Sequence, residues 1–352
     1  MTTLTVDVLG TAVAISVPPS LRQELRAALT DLEPATDADR ELALAAGASG
    51  LQLRDDGRIV RQGVDPAIAV ATVVWRLNTI AAESSAHLLL HAGCVTRPRG
   101  GGVLLVGGPG AGKSTLAAAC VGAGFAYLSD ELAAIDRRTG IVAPYAKPLV
   151  LEGERLVPAS SLGRVATVPC APGLLVFPRY EPGANVSEIP LEPGWALTAL
   201  AAHATNLGTL RGTALAWLAG LALACPAVQL IHGNARVAVA AVDQSAHRPP
   251  APVVAAPVLP LITPDTTTVA LGDSLAVLHE PSGKVHVLNP GAAAMWRGAA
   301  GAGVNGRDMS HLVDAVLDML DTEKGKRPDR ATAAATVDHL VRSGLITAPI
   351  GL

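Results

Sequence analysis

The sequence predicts an α/β protein in two modules, a phosphate-loop core followed by a small α+β domain. Three observations carry this. The stretch Gly107-Gly108-Pro109-Gly110-Ala111-Gly112-Lys113-Ser114-Thr115 fits G-x-x-x-x-G-K-[ST], between the apolar run Val103–Val106 and the helix-like Leu116–Cys120. The stretch His247–Pro264 is dense in proline, alanine and valine, which remove donors and favour extended chain, as in a linker. Beyond it the pattern changes to short strands followed by helices.

The chemistry of the loop follows from its residue types. Glycines reach backbone angles closed to other residues and let successive N–H groups approach phosphate oxygens. The helix N-terminus adds partial positive charge at the same point. Lys113 can reach the outer phosphates, and Ser114 can offer its hydroxyl to Mg²⁺. A nucleoside triphosphate, ATP or GTP, with Mg²⁺ is the expected ligand.

Composition narrows the class. Half of the 352 residues are hydrophobic but only 3% are aromatic, so Ala, Val and Leu must fill the core. A net charge of −3 argues against broad attraction to nucleic acid or acidic lipid. The four cysteines, Cys94, Cys120, Cys170 and Cys225, lie scattered without a C-x-x-C pair, as expected of reduced thiols in a cytoplasmic protein. No signal peptide is evident, and the apolar run Thr213–Cys225 is too short to span a bilayer, so it is expected to be a core helix.

In chain order, residues 1–80 form an α/β lead-in. Leu4–Val17 alternates as strand, Leu21–Leu32 repeats leucine at helical spacing, and Leu51–Val60 turns at Asp55-Asp56-Gly57. Ala67–Ala82 is expected to be helical. Residues 81–246 form the core, with a strand over His87–Val95, a basic turn at Arg97–Gly102, and the strand that delivers the loop. Gly122 and Gly124 stop the next helix, and Phe125–Ser129 is a strand tipped by Asp130-Glu131. Leu132–Ile135 and Ile141–Tyr145 read as a hairpin, Gly173–Phe177 and Ala227–His232 as strands, and Trp195–Leu207 and Thr213–Ala224 as helices. Past the linker at 247–264, residues 265–352 hold strands Thr267–Ala270, Leu275–His279 and Lys284–Leu288. Helices follow from Asn289-Pro290, over Met309–Leu320, and over Ala331–Arg342 before Gly344.

Asp130 and Glu131 narrow the reaction. One carboxylate can hold Mg²⁺ and the other can take a proton from an attacking hydroxyl, or both can serve the metal in an ATPase that drives movement. His91 beside an apolar run is either a satisfied core residue or an aid to proton movement, and His87 is the weaker, structural one. Arg179 either neutralises phosphate or is a solvated surface arginine.

These residues resemble a known family. The run His91-Ala92-Gly93-Cys94-Val95, the strand Gly102–Val106, the loop, and Tyr127-Leu128-Ser129-Asp130-Glu131 look like the catalytic core of HPr kinase/phosphorylase, over roughly residues 88–136. The resemblance implies Asp130 as base toward a substrate hydroxyl, supported by His91. Ser114-Thr115 stands where the family has Ser-Glu, Glu131 replaces its second aspartate, and its later signature is not found here. The C-terminal segment resembles the PqqD-like peptide chaperones known as RiPP recognition elements. The matching residues are the hairpin Leu275–Leu288, the run Leu288-Asn289-Pro290 through Met295-Trp296, and the ending Val337–Ile346. Such modules add a leader peptide as a strand to a sheet edge. Here Val285, His286, Val287 and Leu288 would supply that edge, with Ala331–Arg342 walling the groove. The alternative is a winged-helix-like domain for dimerisation or DNA, and the lack of a basic recognition helix counts against DNA.

The fold class expected is thus an HPr-kinase-like phosphate-loop core with a small winged-helix-like α+β domain. The expected activity is an ATP- and Mg²⁺-dependent kinase acting on a Ser or Thr of a recruited precursor peptide. Lys113 would stabilise charge, Ser114 and Glu131 hold metal, and Asp130 accept the proton. A small-metabolite hydroxyl kinase and a nucleotide-switched peptide-delivery ATPase remain open, as does a homo-oligomer. Neither nucleic acid nor membrane is expected as a partner.

Overall fold

The computed structural model describes residues 2–48, 50–151, 155–245, 253–259, 263, 265–301, 313–314, 317 and 329–345. It is mixed α/β, with eight α-helices and five sheets among the described residues. The chain forms two compact units. One comprises Met1–Leu191, His203–Asn206 and Ala224–Val253, the other Glu192–Ala202, Leu207–Leu223 and Val254–Leu352.

The first unit begins with a sheet of β1 (Thr2–Asp7), β2 (Ala12–Val17), β3 (Arg40–Gly47), β4 (Gly50–Asp55) and β5 (Arg58–Val64), paired in sequence order. Only β2 and β3 run parallel. Asp56 and Gly57 both adopt positive φ, at 46° and 77°, so the expected hairpin closes on two residues. The buried alternation Val13, Ile15, Leu42, Leu44 and Leu53 faces α1 (Arg22–Ala28) and the apolar stripe Val70, Val73, Leu77 and Ile80 of α2 (Ala69–Ser84).

The stretch His87–Val95, expected as one strand, is two: β6 (Leu88–Leu90) and β7 (Ala92–Thr96) belong to different sheets. The break falls at His91, whose N–H donates to the carbonyl of His203 at 2.7 Å instead of to a strand neighbour. β8 (Gly102–Val106) is buried throughout and leads to the loop. β9 (Ala126–Ser129) carries the acidic tip. β10 (Ala133–Ile135) and β11 (Val142–Ala143) make the expected hairpin and join β6. β12 (Leu149–Leu151) pairs with β13 (Arg155–Val157), and β14 (Arg164–Val165), β15 (Pro172–Tyr180), β16 (Ser187–Pro190) and β17 (Ala227–His232) complete the unit.

The central sheet has the order β14-β9-β7-β8-β15-β17-β16. β8, β15 and β17 run parallel, so their carboxyl ends share one edge, and β7 is antiparallel to β8. One strand therefore separates β8 from β9. Two further helices of this unit, α3 (Lys113–Gly122) and the later α6 (Ala235–Gln244), share a core with the sheet through Leu116, Ala117, Cys120, Ala238, Val239 and Val242. Gly124, at φ 102°, ends the turn after α3.

In the second unit, α4 (Pro193–Ala202) is shorter than the helix expected over Trp195–Leu207, because residues 203–206 leave the helical path. α5 (Leu207–Ala224) breaks at Arg211, whose φ of 48° and ψ of −125° are not helical. Among the described residues α5 alone is long and apolar enough to cross a bilayer, and 56% of it is buried inside the protein. The antiparallel sheet β18 (Thr266–Leu271), β19 (Ser274–His279), β20 (Lys284–Leu288) follows, with β20 at an edge. Leu275, Val277 and Leu288 pack with Trp296 of α7 (Pro290–Gly301) and Val337 and Leu340 of α8 (Arg330–Arg342). A Cβ on Gly194 of α4 would meet Val287 at 3.0 Å, and one on Gly212 of α5 would meet Thr267 at 2.6 Å. Only glycine permits that closeness of helix to strand. Most of the expected helix Met309–Leu320, parts of the linker 247–264, and Ile346 lie outside the described residues.

Candidate functional site

The loop 107–112 leaves the carboxyl end of buried β8 and turns on Gly110 (φ 79°) and Gly112 (φ 91°) into α3. Gly107 permits a close approach, since a Cβ there would lie 3.1 Å from that of Ala111. The first N–H groups of α3 have no side-chain cap and point to where an anion would sit. Lys113 is only 6% exposed. Its Nζ donates to the Gly108 carbonyl at 3.0 Å and lies 3.3 Å from His91 Nε2. Burial lowers its pKa against the opposing pull of Asp130 and Glu131.

The structure brings Asp130 to the loop. The Ser114 hydroxyl donates to Asp130 Oδ2 at 2.8 Å. Asp130 is 1% exposed, and its Oδ1 has no partner among the described residues. A Cβ on Gly93 would come within 3.4 Å of that oxygen, so the glycine keeps its surroundings open. An unpaired buried carboxylate oxygen is costly unless a ligand completes it.

Glu131 is held differently. It sits at φ 66°, an uncommon angle for a residue with a side chain. Its Oε2 accepts from Lys147 Nζ and from Asn78 Nδ2, both at 2.9 Å. Tyr145 donates to Asn78 Oδ1 at 3.0 Å, and Tyr127 donates to the Lys147 carbonyl at 2.8 Å. Burial pushes the Glu131 carboxyl up, but the charge and hydrogen bond of Lys147 outweigh it, and the group ends below its ordinary value. Any metal contact from Glu131 must therefore use its other oxygen.

His91 lines the same cleft, and burial and the charge of Lys113 lower its pKa against the pull of Glu131 and Asp130. Its ring centroid lies 6.4 Å from that of His203. Arg179 is not brought to the loop. It is 60% exposed, pairs with Glu181 at 2.7 Å and does not line the cleft. Pro109, Gly110, Gly112, Lys113, Ser114 and Thr115 do line it, and the cavity measures about 1290 Å³. Val285, His286, Val287 and Leu288 belong to the other unit, where β20 pairs on one side with β19.

Sequence reasoning missed four side chains here. Lys147, alone between Ala146 and Pro148 in an apolar stretch, was a signal of a buried cation in need of a partner. Asn234, ahead of Ala235-Arg236-Val237, had the form of a helix cap, and its Oδ1 does accept from the N–H groups of Arg236 and Val237. Tyr180 and His232 gave no signal, because only the pairing of β15 with β17 sets them beside Gly112.

The residues suit Mg²⁺ in a shared site. Among the described residues no three His, Cys, Asp or Glu side chains gather as a cage. The Ser114 hydroxyl, the Asp130 oxygen it bonds, and incoming phosphate oxygens match the way Mg²⁺ is usually held beside a nucleotide. No protein-family model, curated protein or solved structure matches this chain.

Proposed function

We propose that the protein is an ATP- and Mg²⁺-dependent kinase that transfers a phosphoryl group to a Ser or Thr hydroxyl of a peptide recruited through its second unit. The observation that carries the reading is the Ser114–Asp130 hydrogen bond at the head of α3, beside a buried lysine and a glycine loop turned through positive φ. Ser114 and Asp130 Oδ2 would hold the metal, with Glu131 contributing at most its one remaining oxygen. Bound Mg²⁺ supplies charge stabilisation to the phosphates. Asp130 Oδ1 is the oxygen left to accept the proton of the incoming hydroxyl. Lys113 leaves Gly108 for the outer phosphates, which frees neutral His91 to receive or pass on that proton. This arrangement supports an HPr-kinase-like core.

The peptide half of the reading rests on β20. Its outer edge has no strand partner among the described residues, and such an edge accepts an extended peptide by backbone pairing. Recruitment there raises the local concentration of a peptide that the catalytic cleft binds weakly. The same edge supports a PqqD-like role for this unit, and the free thiols are consistent with a cytoplasmic setting.

Incubation of the full chain with MgATP and precursor peptides encoded near it is expected to yield peptide heavier by one phosphoryl group, and Asp130→Asn is expected to form that product about 100-fold more slowly or worse. Peptide-stimulated phosphate release without phosphopeptide would select the delivery ATPase instead. Phosphorylation confined to a small hydroxyl compound would select the metabolite kinase.

A further inference from the structure

We infer that the nucleoside half of the nucleotide lies over Tyr180, His232, Asn234 and Arg236, at the carboxyl ends of β15 and β17, and that this end takes adenine in preference to guanine. The inference rests on the phosphate-loop reading above and adds the placement and identity of the base.

The cleft has two chemically distinct ends. His91 and Glu131 line one, on the side of β7 and β9, where Asp130 follows β9. Tyr180 and the turn from β17 into α6, residues His232 through Arg236, line the other. The groups able to hold metal and accept a proton mark where the terminal phosphate stands. The phosphates then run across the loop, and the nucleoside emerges on the far side, beyond Gly112. The Cβ of Tyr180 lies 3.4 Å, and the Nε2 of His232 3.6 Å, from where a Cβ on Gly112 would be. Both side chains thus abut the last residue of the loop.

His232 points to a ligand in its own right. It is 1% exposed, yet among the described residues neither ring nitrogen has a hydrogen-bond partner. A neutral imidazole offers one donor and one acceptor, and leaving both unmet in the interior is unfavourable unless a ligand meets them. Tyr180, 51% exposed with its ring 5.9 Å from that of His232, provides an aromatic face for a base. Tyr180 and His232 both line the cleft, so a base stacked on the Tyr180 ring lies beside the imidazole. The Asn234 oxygen is already held by the N–H groups of α6, which leaves its amide nitrogen as a donor. No acidic side chain among the described residues lines this end. Glu181, next to Tyr180, is engaged by Arg179 at 2.7 Å, so guanine, whose pairing edge carries adjacent N–H donors, finds no free carboxylate to receive them. Adenine, with a ring-nitrogen acceptor beside one amino donor, matches the imidazole and the amide.

Titration calorimetry on the full chain with MgATP, MgGTP and tripolyphosphate tests this. The wild type is expected to bind ATP about tenfold more tightly than GTP, and Tyr180→Ala to weaken ATP about tenfold while leaving tripolyphosphate unchanged. His232→Leu should act in the same direction. If that buried change prevents folding, the half-exposed Tyr180 still decides the matter. Equal losses for ATP and tripolyphosphate, no loss for either, or GTP binding as tight as ATP would overturn the inference. If tripolyphosphate binds and neither nucleotide binds more tightly, the base site alone is wrong. If none of the three binds the wild type, the phosphate-loop reading fails and takes this inference with it.

Discussion

Two clusters of buried charge stand in the first unit, one around Asp55 and one around Asp130, and they are built on opposite terms. Asp55 is 4% exposed and receives both its oxygens' worth of partners: Arg40 donates to Oδ1 at 2.6 Å and to Oδ2 at 2.8 Å, and Arg76 pairs with Oδ2. Arg76 then holds Glu83 through two contacts of 3.1 Å. Asp130 is more deeply buried, takes one hydroxyl on one oxygen and leaves the other unmet. The first cluster is closed and ties α2 to its sheet. The second is incomplete, and a buried group left incomplete at the mouth of a cleft is what a ligand would complete. Burial and charge are common to both clusters, and what differs between them is whether the carboxylate oxygens are satisfied.

Substitutions can break this contrast in either direction. Asp55→Ala leaves two arginines without their carboxylate and is expected to destabilise the protein by about 3–5 kcal/mol in denaturant titrations. Whatever folds should bind ATP normally. Asp130→Asn keeps an oxygen for Ser114 but loses the charge, and is expected to lower the rate of phosphoryl transfer about 100-fold or more with a smaller change in stability. An Asp130→Asn protein as active as wild type would show that the unmet oxygen is not catalytic. Lys147→Met removes the cation beneath Glu131, so the Glu131 carboxyl should titrate at higher pH, visible by NMR, while Lys147→Arg should retain the pairing in part.

The smallest effect expected is on pH dependence, and its sign differs by group. His91, His203 and His232 are held below the ordinary imidazole value by burial, so the unfolded chain binds their protons more readily. Their contribution to stability is complete above about pH 6.5 and declines as pH falls from there. Burial raises the Asp55 and Glu131 carboxyls, but Arg40, Arg76 and Lys147 overcome it and depress both. Their contribution holds above about pH 4.5 and declines as pH falls through their folded values. Thermal melts from pH 8 to acid should show two steps of loss, and His232→Gln should shrink only the upper one.

Much of the fold was legible because it is local. The alternation of Leu4–Val17, the Asp56-Gly57 turn, the β8–loop–α3 run and the hairpin at Ser282-Gly283 need no distant partner to be specified. The illegible parts depend on contacts between residues far apart in sequence. His91 interrupts an apolar run that reads as one strand, because the carbonyl of His203 takes its N–H. Arg179, suggested by its place after a strand, turns to Glu181 instead. That α4 and α5 group with β18–β20, across a proline-rich stretch, follows from the close approaches at Gly194 and Gly212.

By itself the sequence determined the loop, its lysine and serine, and the acid pair, since short-range backbone chemistry requires those residues in that spacing. The tertiary structure alone decided which oxygen of Asp130 stays unmet, that Lys147 neutralises Glu131, and that Tyr180 and His232 flank Gly112. Each depends on which strands lie side by side, and strand order is set by packing across the whole sheet.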